Sequence, residues 1–303
     1  MTQNSILGLS EKRLIDLALK EDLGPGDVTT RALFSKKNPT VEGKILAKES
    51  LVLAGLAAAQ AVFKKVDPKI QFKSSHKDGD KISEGTAFAS VKGKASSLLT
   101  AERVALNFLQ HLSGIATLTY CFVQQIQGTS AKILDTRKTL PGWRRLEKAA
   151  VKAGGGENHR LGLYDAFLIK DNHLALSGSI AEAVEKARSA NKKKLKIEVE
   201  VTSLKVLEEA LKLGVDWILL DNMPLEDMRL AVIRRNEFVR KEGRRLQPNL
   251  GQTSASGGPL LEASGGVNLE NVRAVAQAGV DYISVGALTH SAPAVDISLE
   301  ISK

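Results

Sequence analysis

Six short apolar segments recur through the second part of the chain: AKILDT, AFLIK, LKIEVEV, DWILLD, LLEASG and DYISVG. Runs of this length and composition are typical of strands that are buried on both faces of a parallel sheet. Amphipathic helical patterns lie between several of them, in SIAEAVEKARSA, SLKVLEEALKLG and NLENVRAVAQAG. A strand followed by a helix, repeated in this way, predicts an α/β barrel.

The first part of the chain, up to about Thr100, has a different pattern of apolar and polar residues. Strand patterns around VEGKILAK and KIQFKSS flank a helical pattern near LAAAQAVFKKV. Nearer the start, Ser10 is placed to cap a helix with an apolar stripe made of Leu14, Ile15, Ala18 and Leu19. This mixture predicts an α+β domain.

A long helical pattern joins the two parts, over residues 101–127. Gly114 is expected to interrupt it softly, and Gly128 to end it. With Thr100 as the N-cap, Arg103 would lie in the first turn, where an arginine beside a helix N-terminus forms an anion receptor. An exposed arginine with a small energetic cost explains Arg103 equally well.

Each of the six apolar runs ends in charged residues, a hydroxyl-bearing residue or a glycine, which are residue types common in active sites. They are Asp135-Thr136-Arg137-Lys138, Lys170-Asp171, Glu198 and Glu200, Asp221, Ser264, and Gly286. Acids after strands often cap the next helix. In an α/β barrel, however, the carboxyl ends of the strands converge on one face, where active sites lie. Six such endings in succession therefore predict a site at that face.

Cationic groups dominate this predicted face: Arg137, Lys138, His159, Arg160 and Lys170. Taken singly, each is explained by a surface ion pair or a structural hydrogen bond. Together they would repel one another unless an anion lay among them. Arginine suits carboxylates and lysine suits phosphates, so the group predicts a site for a dicarboxylate and phosphates.

Two acids and a glycine-rich loop complete the candidate site. Glu200 and Asp221 would bind ribose hydroxyls, directly or through Mg²⁺, or stabilise positive charge on a sugar ring. Structural pairing with nearby lysines is the alternative. The ASGG string at 263–266 has a strand before it and a helix pattern after it, so its backbone N–H groups suit a phosphate. The other ASGG copy lies in the Gly- and Ser-rich segment 241–259, which predicts a surface loop.

Composition narrows the class of protein. The formal net charge of +9 is spread along the chain, and aromatic residues make up only 4%, which weighs against a nucleic-acid-binding protein. The longest nearly apolar run, 51–63, is too short to span a bilayer, and the start lacks a secretory pattern. The one cysteine, Cys121, is expected to be a buried, inert thiol in a reducing compartment. These features predict a cytoplasmic protein that interacts with neither membranes nor nucleic acid.

Seven motifs together resemble the quinolinate phosphoribosyltransferase family. They are EDLGPGDVTT, AERVALNFLQHLSGIAT, DTRKTLPG, GGGENHRLGLYDAFLIKDNH, IEVEV, LLDNM and EASGGVNLENV, in the order that the family has them. The resemblance implies an N-terminal α/β sandwich domain over 1–116, an incomplete α/β (TIM-like) barrel over 117–289, and a C-terminal segment, 290–303, that packs back on the N-terminal domain. The implied reaction joins quinolinate and phosphoribosyl pyrophosphate with decarboxylation, in NAD biosynthesis.

The resemblance also implies roles for individual residues. Arg137, His159 and Arg160 would hold the quinolinate carboxylates, while Lys138 and Lys170 would lie between the two substrates. Glu200 and Asp221 would position the ribose and the Mg²⁺-bound pyrophosphate. The 5-phosphate would lie on a set of loop residues: Ser264, Gly265, Gly266 and Gly286. Members form homodimers or larger assemblies in which Arg103 would reach the neighbouring subunit's quinolinate.

One alternative is a related phosphoribosyltransferase that uses nicotinate as its substrate and does not decarboxylate it. Five cationic groups exceed what a monocarboxylate requires, which favours the dicarboxylate.

Overall fold

The computed structural model describes residues 7–242 and 257–302. The chain forms two compact units. The first comprises Met1–Tyr120, Lys138–Gly156 and Leu288–Lys303, and the second comprises Cys121–Arg137 and Glu157–Ala287. The boundaries expected from sequence, at residues 116 and 289, remain predictions of domain organisation.

Helices and strands follow one another along the whole chain. Up to the long helix they are α1 (Leu9–Leu23), α2 (Val28–Phe34), β1 (Thr40–Ala47), β2 (Leu51–Val52), α3 (Leu56–Val66), β3 (Gln71–Ser74), β4 (Lys81–Ile82), β5 (Ala87–Lys94) and α4 (Ala95–Gln125). They continue with β6 (Lys132–Leu134), α5 (Arg144–Ala153), β7 (Phe167–Ile169), α6 (Asp171–Ser177), α7 (Ile180–Ala190), β8 (Ile197–Val201), α8 (Leu204–Lys212), β9 (Trp217–Asp221), α9 (Leu225–Glu242), β10 (Leu260–Ser264), α10 (Val272–Gln277), β11 (Tyr282–Ser284), α11 (Ala287–His290) and β12 (Ile297–Ser302).

An antiparallel sheet with the order β12-β1-β5-β3 forms the centre of the first unit. Strand β1 is an inner strand, and its Ile45 pairs with Leu299 of β12 on one side and with Ala89 of β5 on the other. Ile45 is fully buried, as are Phe63 of α3 and Phe88 of β5. The unit therefore has its own apolar core, and the last strand of the chain belongs to it.

Three predictions about the first turns of helices in this unit were wrong. Ser10 lies inside α1, where its hydroxyl donates to Glu11 Oε1, and the N-cap is Gly8. Helix α4 begins at Ala95, so Thr100 is not its cap and Arg103 is not in its first turn. Ser96 N–H instead donates to Asn38 Oδ1, a capping partner 58 residues away that local sequence patterns do not reveal.

Gly114 does not interrupt α4, which runs through it. A Cβ at this position would lie 2.1 Å from the carbonyl oxygen of Pro293. The glycine is thus explained by the close approach of another backbone and not by a break in the helix.

A six-stranded parallel sheet with the order β6-β11-β10-β9-β8-β7 forms the second unit. All six predicted strands belong to it, so the fold class, an α/β sandwich domain with an incomplete α/β barrel, is confirmed. Trp217, Leu260 and Tyr282 each begin a strand and form a buried apolar cluster with Leu134. The cluster belongs to the apolar core of the second unit.

Cys121 is exposed on α4, so the expectation of a buried thiol was wrong. The buried positions around it, such as Thr119, Phe122 and Ile126, follow helical spacing and leave Cys121 on the other side. Residues 243–256 of the predicted 241–259 loop lie outside the described residues. Within the described ranges, no helix has the length and apolar character that crossing a membrane requires.

Candidate active site

The carboxyl ends of β9 and β10 place two predicted site residues side by side. Asp221 ends β9, Ser264 ends β10, and the two are paired in register. Beyond them, Asn222 N–H donates to the Ser264 carbonyl at 2.8 Å, and its side-chain amide donates to Asp221 Oδ2 at 3.0 Å. Asn222 adopts a left-handed backbone with φ of 51°. These contacts fix the Asp221 carboxylate at the strand end.

Lys170 and Glu200 form an ion pair at the neighbouring strand ends. Lys170 Nζ lies 2.6 Å from Glu200 Oε2, with the carboxylate buried and the lysine side chain 44% exposed. Glu200 belongs to β8, and Lys170 follows β7, which pairs with β8 in parallel. The buried carboxylate therefore holds an accessible ammonium group in place.

His159 forms a second, more deeply buried, group with two carboxylates. Its Nε2 lies 3.0 Å from Glu198 Oε2 and 3.4 Å from Glu262 Oε2, and both glutamates are almost fully buried. Burial by itself would lower the pKa of His159, but the charges of Glu198 and Glu262 outweigh it and raise the pKa to about 10. Burial and the neighbouring Glu262 raise the pKa of Glu198.

One hydrogen bond opposes protonation of this ring. Arg160 N–H donates to His159 Nδ1 at 2.8 Å, which requires that nitrogen to lack a proton. The two carboxylates favour the charged ring and the Arg160 amide favours the neutral one. The direction of the pKa shift follows the carboxylates, since charge in a buried site outweighs a single neutral hydrogen bond.

Arg160 and Arg137 lie near enough to repel each other. Burial and the charge of Arg137 lower the pKa of Arg160, and the charges of Glu198 and Asp165 oppose this. The guanidinium donates to the Ala166 carbonyl at 3.1 Å. A cavity of about 220 Å³ adjoins this group, with a lining of Asn158, His159, Arg160, Asp165, Ala166, Lys196, Glu198 and Trp217.

The predicted phosphate loop follows β10. Gly265 has φ of +94°, and a Cβ there would lie 2.2 Å from Asn222 Oδ1. The Gly266 carbonyl accepts a hydrogen bond from the Asn271 side chain at 2.9 Å, which closes the loop before α10. Gly286 lies two residues after β11. Glycine at 265 is thus required by both backbone conformation and space.

Lys138 and Arg103 belong to the first unit. Both side chains are exposed, and the Lys138 carbonyl accepts a hydrogen bond from Thr289 Oγ1 at 2.7 Å. The remaining predicted site residues all belong to the second unit. Arg137, Lys138, His159, Arg160, Lys170, Glu200, Asp221, Ser264, Gly265, Gly266 and Gly286 keep their predicted roles as predictions, as does Arg103.

Two sets of side chains carry atoms that can bind a cation. Glu200 and Asp221, at adjacent strand ends, offer the hard carboxylate oxygens that Mg²⁺ prefers. Among the described residues, His159, Glu198 and Glu262 also offer three ligand atoms within 4.8 Å of one another. In that second set the ring already forms an ion pair with the carboxylates, so it needs no metal to balance its charge.

Two domain models of one family match this chain. The quinolinate phosphoribosyl transferase N-terminal domain matches residues 27–113, and the C-terminal domain of the same family matches residues 115–300. The chain belongs to the quinolinate phosphoribosyltransferase family. The resemblance seen in the sequence motifs is therefore confirmed.

Relatives are similar in sequence to this chain over almost its whole length. A probable carboxylating nicotinate-nucleotide pyrophosphorylase of Bacillus subtilis is 42% identical over 294 residues, which cover 97% of this chain and 94% of that protein. The carboxylating enzyme of Mycobacterium leprae is 44% identical over 287 residues, 94% of each chain. The solved structure of the nicotinate-nucleotide pyrophosphorylase from Francisella tularensis superposes with a TM-score of 0.88, at 37% identity, covering 100% of this chain and 99% of that one.

Sequence reasoning missed two residues of this quinolinate phosphoribosyltransferase-family site. Glu198 was noted only as a strand end, and Glu262 was not given a role. The signal was present, because IEVEV places Glu198 and Glu200 on one face of a strand and LLEAS carries a charge inside an apolar run. The cationic side chains were expected to repel one another unless an anion lay among them. The protein itself supplies carboxylates, with Glu198 beside His159 and Glu200 beside Lys170, so a bound anion is not the only source of balancing charge.

Proposed function

We propose that this chain transfers the phosphoribosyl group from phosphoribosyl pyrophosphate to quinolinate with decarboxylation. The products are nicotinate mononucleotide, pyrophosphate and carbon dioxide, in de novo NAD biosynthesis. The observation that carries the proposal is the match of both family domains over residues 27–113 and 115–300. The relatives named above as carboxylating enzymes support the decarboxylating reaction.

The quinolinate carboxylates are assigned to Arg137 and Arg160, with His159 beside them. Two guanidinium groups that repel each other when no anion is present gain stability when a dicarboxylate lies between them. A planar guanidinium donates two parallel hydrogen bonds to a carboxylate, so a pair of arginines also sets the orientation of the ring. The pyridine nitrogen is then directed at the ribose carbon that it attacks.

Phosphoribosyl pyrophosphate is assigned to the strand ends and the glycine loop. Lys170, held by Glu200, and Lys138 supply positive charge between the two substrates. Asp221 and Glu200 receive the ribose hydroxyls and hold Mg²⁺, which supplies charge neutralisation for the leaving pyrophosphate. The loop Ser264-Gly265-Gly266, with Gly286, receives the 5-phosphate on backbone N–H groups.

The chemistry requires positioning and charge stabilisation. Departure of pyrophosphate leaves positive charge on the ribose ring, and the carboxylates of Glu200 and Asp221 stabilise that charge. After attack, the bond between C2 and its carboxylate breaks and carbon dioxide leaves. The adjacent pyridinium charge stabilises the electron pair that remains on C2, and C2 then takes up a proton from solvent. No covalent intermediate with the protein is needed.

We further propose a homodimer or larger homo-oligomer, located in the cytoplasm, in which Arg103 serves the site of a neighbouring subunit. The exposure of Arg103 on α4 supports this, because its guanidinium is accessible at the surface of its own unit.

The test is an assay with purified protein, quinolinate, phosphoribosyl pyrophosphate and Mg²⁺. We expect nicotinate mononucleotide, pyrophosphate and carbon dioxide in equal amounts. Nicotinate in place of quinolinate is the control, and it should give no product. Turnover of nicotinate without release of carbon dioxide would assign the chain to the non-decarboxylating reaction instead. Omission of Mg²⁺ with a chelator should abolish turnover.

A further inference from the structure

Two buried glutamates inside the barrel have no part in the roles assigned above. Glu198 lies on β8 and Glu262 on β10, and both side chains are at most 5% exposed. One oxygen of each, Glu198 Oε1 and Glu262 Oε2, is buried without a hydrogen-bond partner. Burying carboxylates in this way costs stability. Their position beside His159 therefore calls for a functional explanation.

The glutamates hold the ring of His159 from two different strands. Nε2 of the ring lies between Glu198 Oε2, at 3.0 Å, and Glu262 Oε2, at 3.4 Å. The hydroxyl of Ser284, on β11, donates to Glu262 Oε1 and so orients that carboxylate. The edge of the ring also faces Trp217, with centroids 6.3 Å apart and an interplanar angle of 78°. The orientation of the ring is thus set by the rigid sheet.

The ring passes this orientation on to Arg160. Nδ1 lies 2.8 Å from the Arg160 backbone nitrogen, so the ring is in direct contact with the Arg160 main chain, and Asp135 Oδ1 accepts the N–H of His159 itself at 2.9 Å. The Arg160 guanidinium is tied to the Ala166 carbonyl at 3.1 Å. The segment that carries Arg160 is therefore fastened to the sheet through the imidazole and not through its own secondary structure.

We propose that Glu198 and Glu262 are positioning residues that hold the His159 ring and, through it, place Arg160 to receive a carboxylate of quinolinate. This inference rests on the proposed function, since it concerns the binding of that substrate. Glu198 also attracts Arg160, which offsets the repulsion from Arg137 while the site is empty. Neither glutamate needs to touch the substrate for this role.

The test compares Glu198→Gln and Glu262→Gln with the wild-type protein in the quinolinate assay. Glutamine keeps the shape and an acceptor oxygen but loses the charge. We expect each variant to raise the KM for quinolinate by roughly tenfold, because a negative charge that holds the ring in place is lost. The KM for phosphoribosyl pyrophosphate and kcat should change by less than about twofold.

Glu157→Gln is the matched control. Glu157 lies two residues before His159 and pairs with Lys132 at 2.7 Å on a half-exposed site. The same substitution there should leave the KM for quinolinate unchanged. Ser284→Ala provides a milder variant, which releases the Glu262 carboxylate without removing a charge, and should raise the same KM by about twofold to fivefold.

The outcomes separate the two proposals. No product from the wild-type protein overturns the proposed function, and this inference with it. An active wild type whose Glu198 and Glu262 variants keep the wild-type KM for quinolinate overturns the inference alone. The inference is also overturned if kcat and the midpoint of thermal unfolding both fall while both KM values rise, because that pattern indicates a purely structural role. Should the glutamine variants fail to fold, the result with Ser284→Ala decides.

Discussion

Glu147, fully buried on α5, accepts a hydrogen bond from His111 Nε2 on α4 at 2.9 Å. Its other oxygen accepts the backbone N–H of Leu140 at 3.3 Å. Trp143, which packs on Phe108 with ring centroids 4.6 Å apart, lies in the same segment. One carboxylate thus ties the loop that follows Lys138 to the long helix.

Glu147→Ala should lower the free energy of unfolding by about 3 kcal/mol, because it removes a buried carboxylate that accepts hydrogen bonds from His111 and from the Leu140 backbone. Urea unfolding at pH 7 measures this. Glu185→Ala, an exposed position on α7, should stay within about 0.5 kcal/mol of wild type. Equal effects of the two substitutions would mean that the buried carboxylate does not anchor the loop.

Replacement of Gly265 by alanine should destabilise the protein by about 2–4 kcal/mol. The backbone there is left-handed, and the new Cβ would meet the Asn222 side chain at 2.2 Å. Gly266→Ala is the matched control, because φ is +62° but no atom lies within 4 Å of its Cβ. It should cost only about 1 kcal/mol. Thermal unfolding of the two variants side by side tests the difference, and identical midpoints would contradict it.

Stability should fall between pH 7 and pH 10 in a manner that depends on His159. Its folded pKa of about 10 lies above the ordinary value of 6.5. The folded state therefore binds the extra proton in this range and the unfolded state does not. The stabilisation is fully present below the unfolded pKa and is lost as the pH rises through the folded pKa. The raised pKa of Glu198 acts with the same sign at lower pH.

The slope attributable to His159 should be roughly 1 kcal/mol per pH unit. Urea unfolding of wild type and His159→Gln at pH 7, 8 and 9 gives this slope by difference. His76→Gln, at a partly exposed histidine, serves as the control and should show the wild-type slope. A His159→Gln slope equal to that of wild type would show that the ring is neutral in the folded protein.

Lys170→Ala should reduce kcat by roughly a hundredfold or more, because it removes the positive charge that Glu200 holds and that we propose to lie between the substrates. Steady-state kinetics with both substrates measure this. Lys186→Ala removes an exposed lysine on α7 that lies 4.0 Å from Glu182, and should leave kcat unchanged. A loss of less than about threefold at Lys170 would remove it from the reaction.

Co-expression of Arg103→Ala and Arg137→Ala chains tests the shared site. Each variant alone should be inactive. If Arg103 serves a neighbouring subunit, random assembly places an intact pair in about a quarter of the sites, and activity returns to about a quarter of the wild-type value. Separately purified variants, mixed without subunit exchange, are the control. A co-expressed mixture that stays inactive would place Arg103 outside any shared site.

The six strands of the barrel followed from sequence because strands buried on both faces are continuous apolar runs. The start of α4 did not, since Ser96 is capped by Asn38 from a distant segment and Thr100 is locally the better cap. The role of Glu262 was also out of reach, because its partner His159 lies more than a hundred residues earlier. Contacts of this kind are determined by the tertiary fold, which periodicity does not encode.

Strand β12 covers the free side of β1, although almost the whole chain separates the two. During synthesis the ribosome makes β1 early and β12 late, so the backbone groups along that side of β1 stay unpaired while everything between them is translated. The emerging chain therefore exposes an unpaired strand edge throughout elongation. Chaperones or a second nascent chain can bind that edge before β12 does. The sheet of the first unit is therefore completed only late, when β12 has been synthesised.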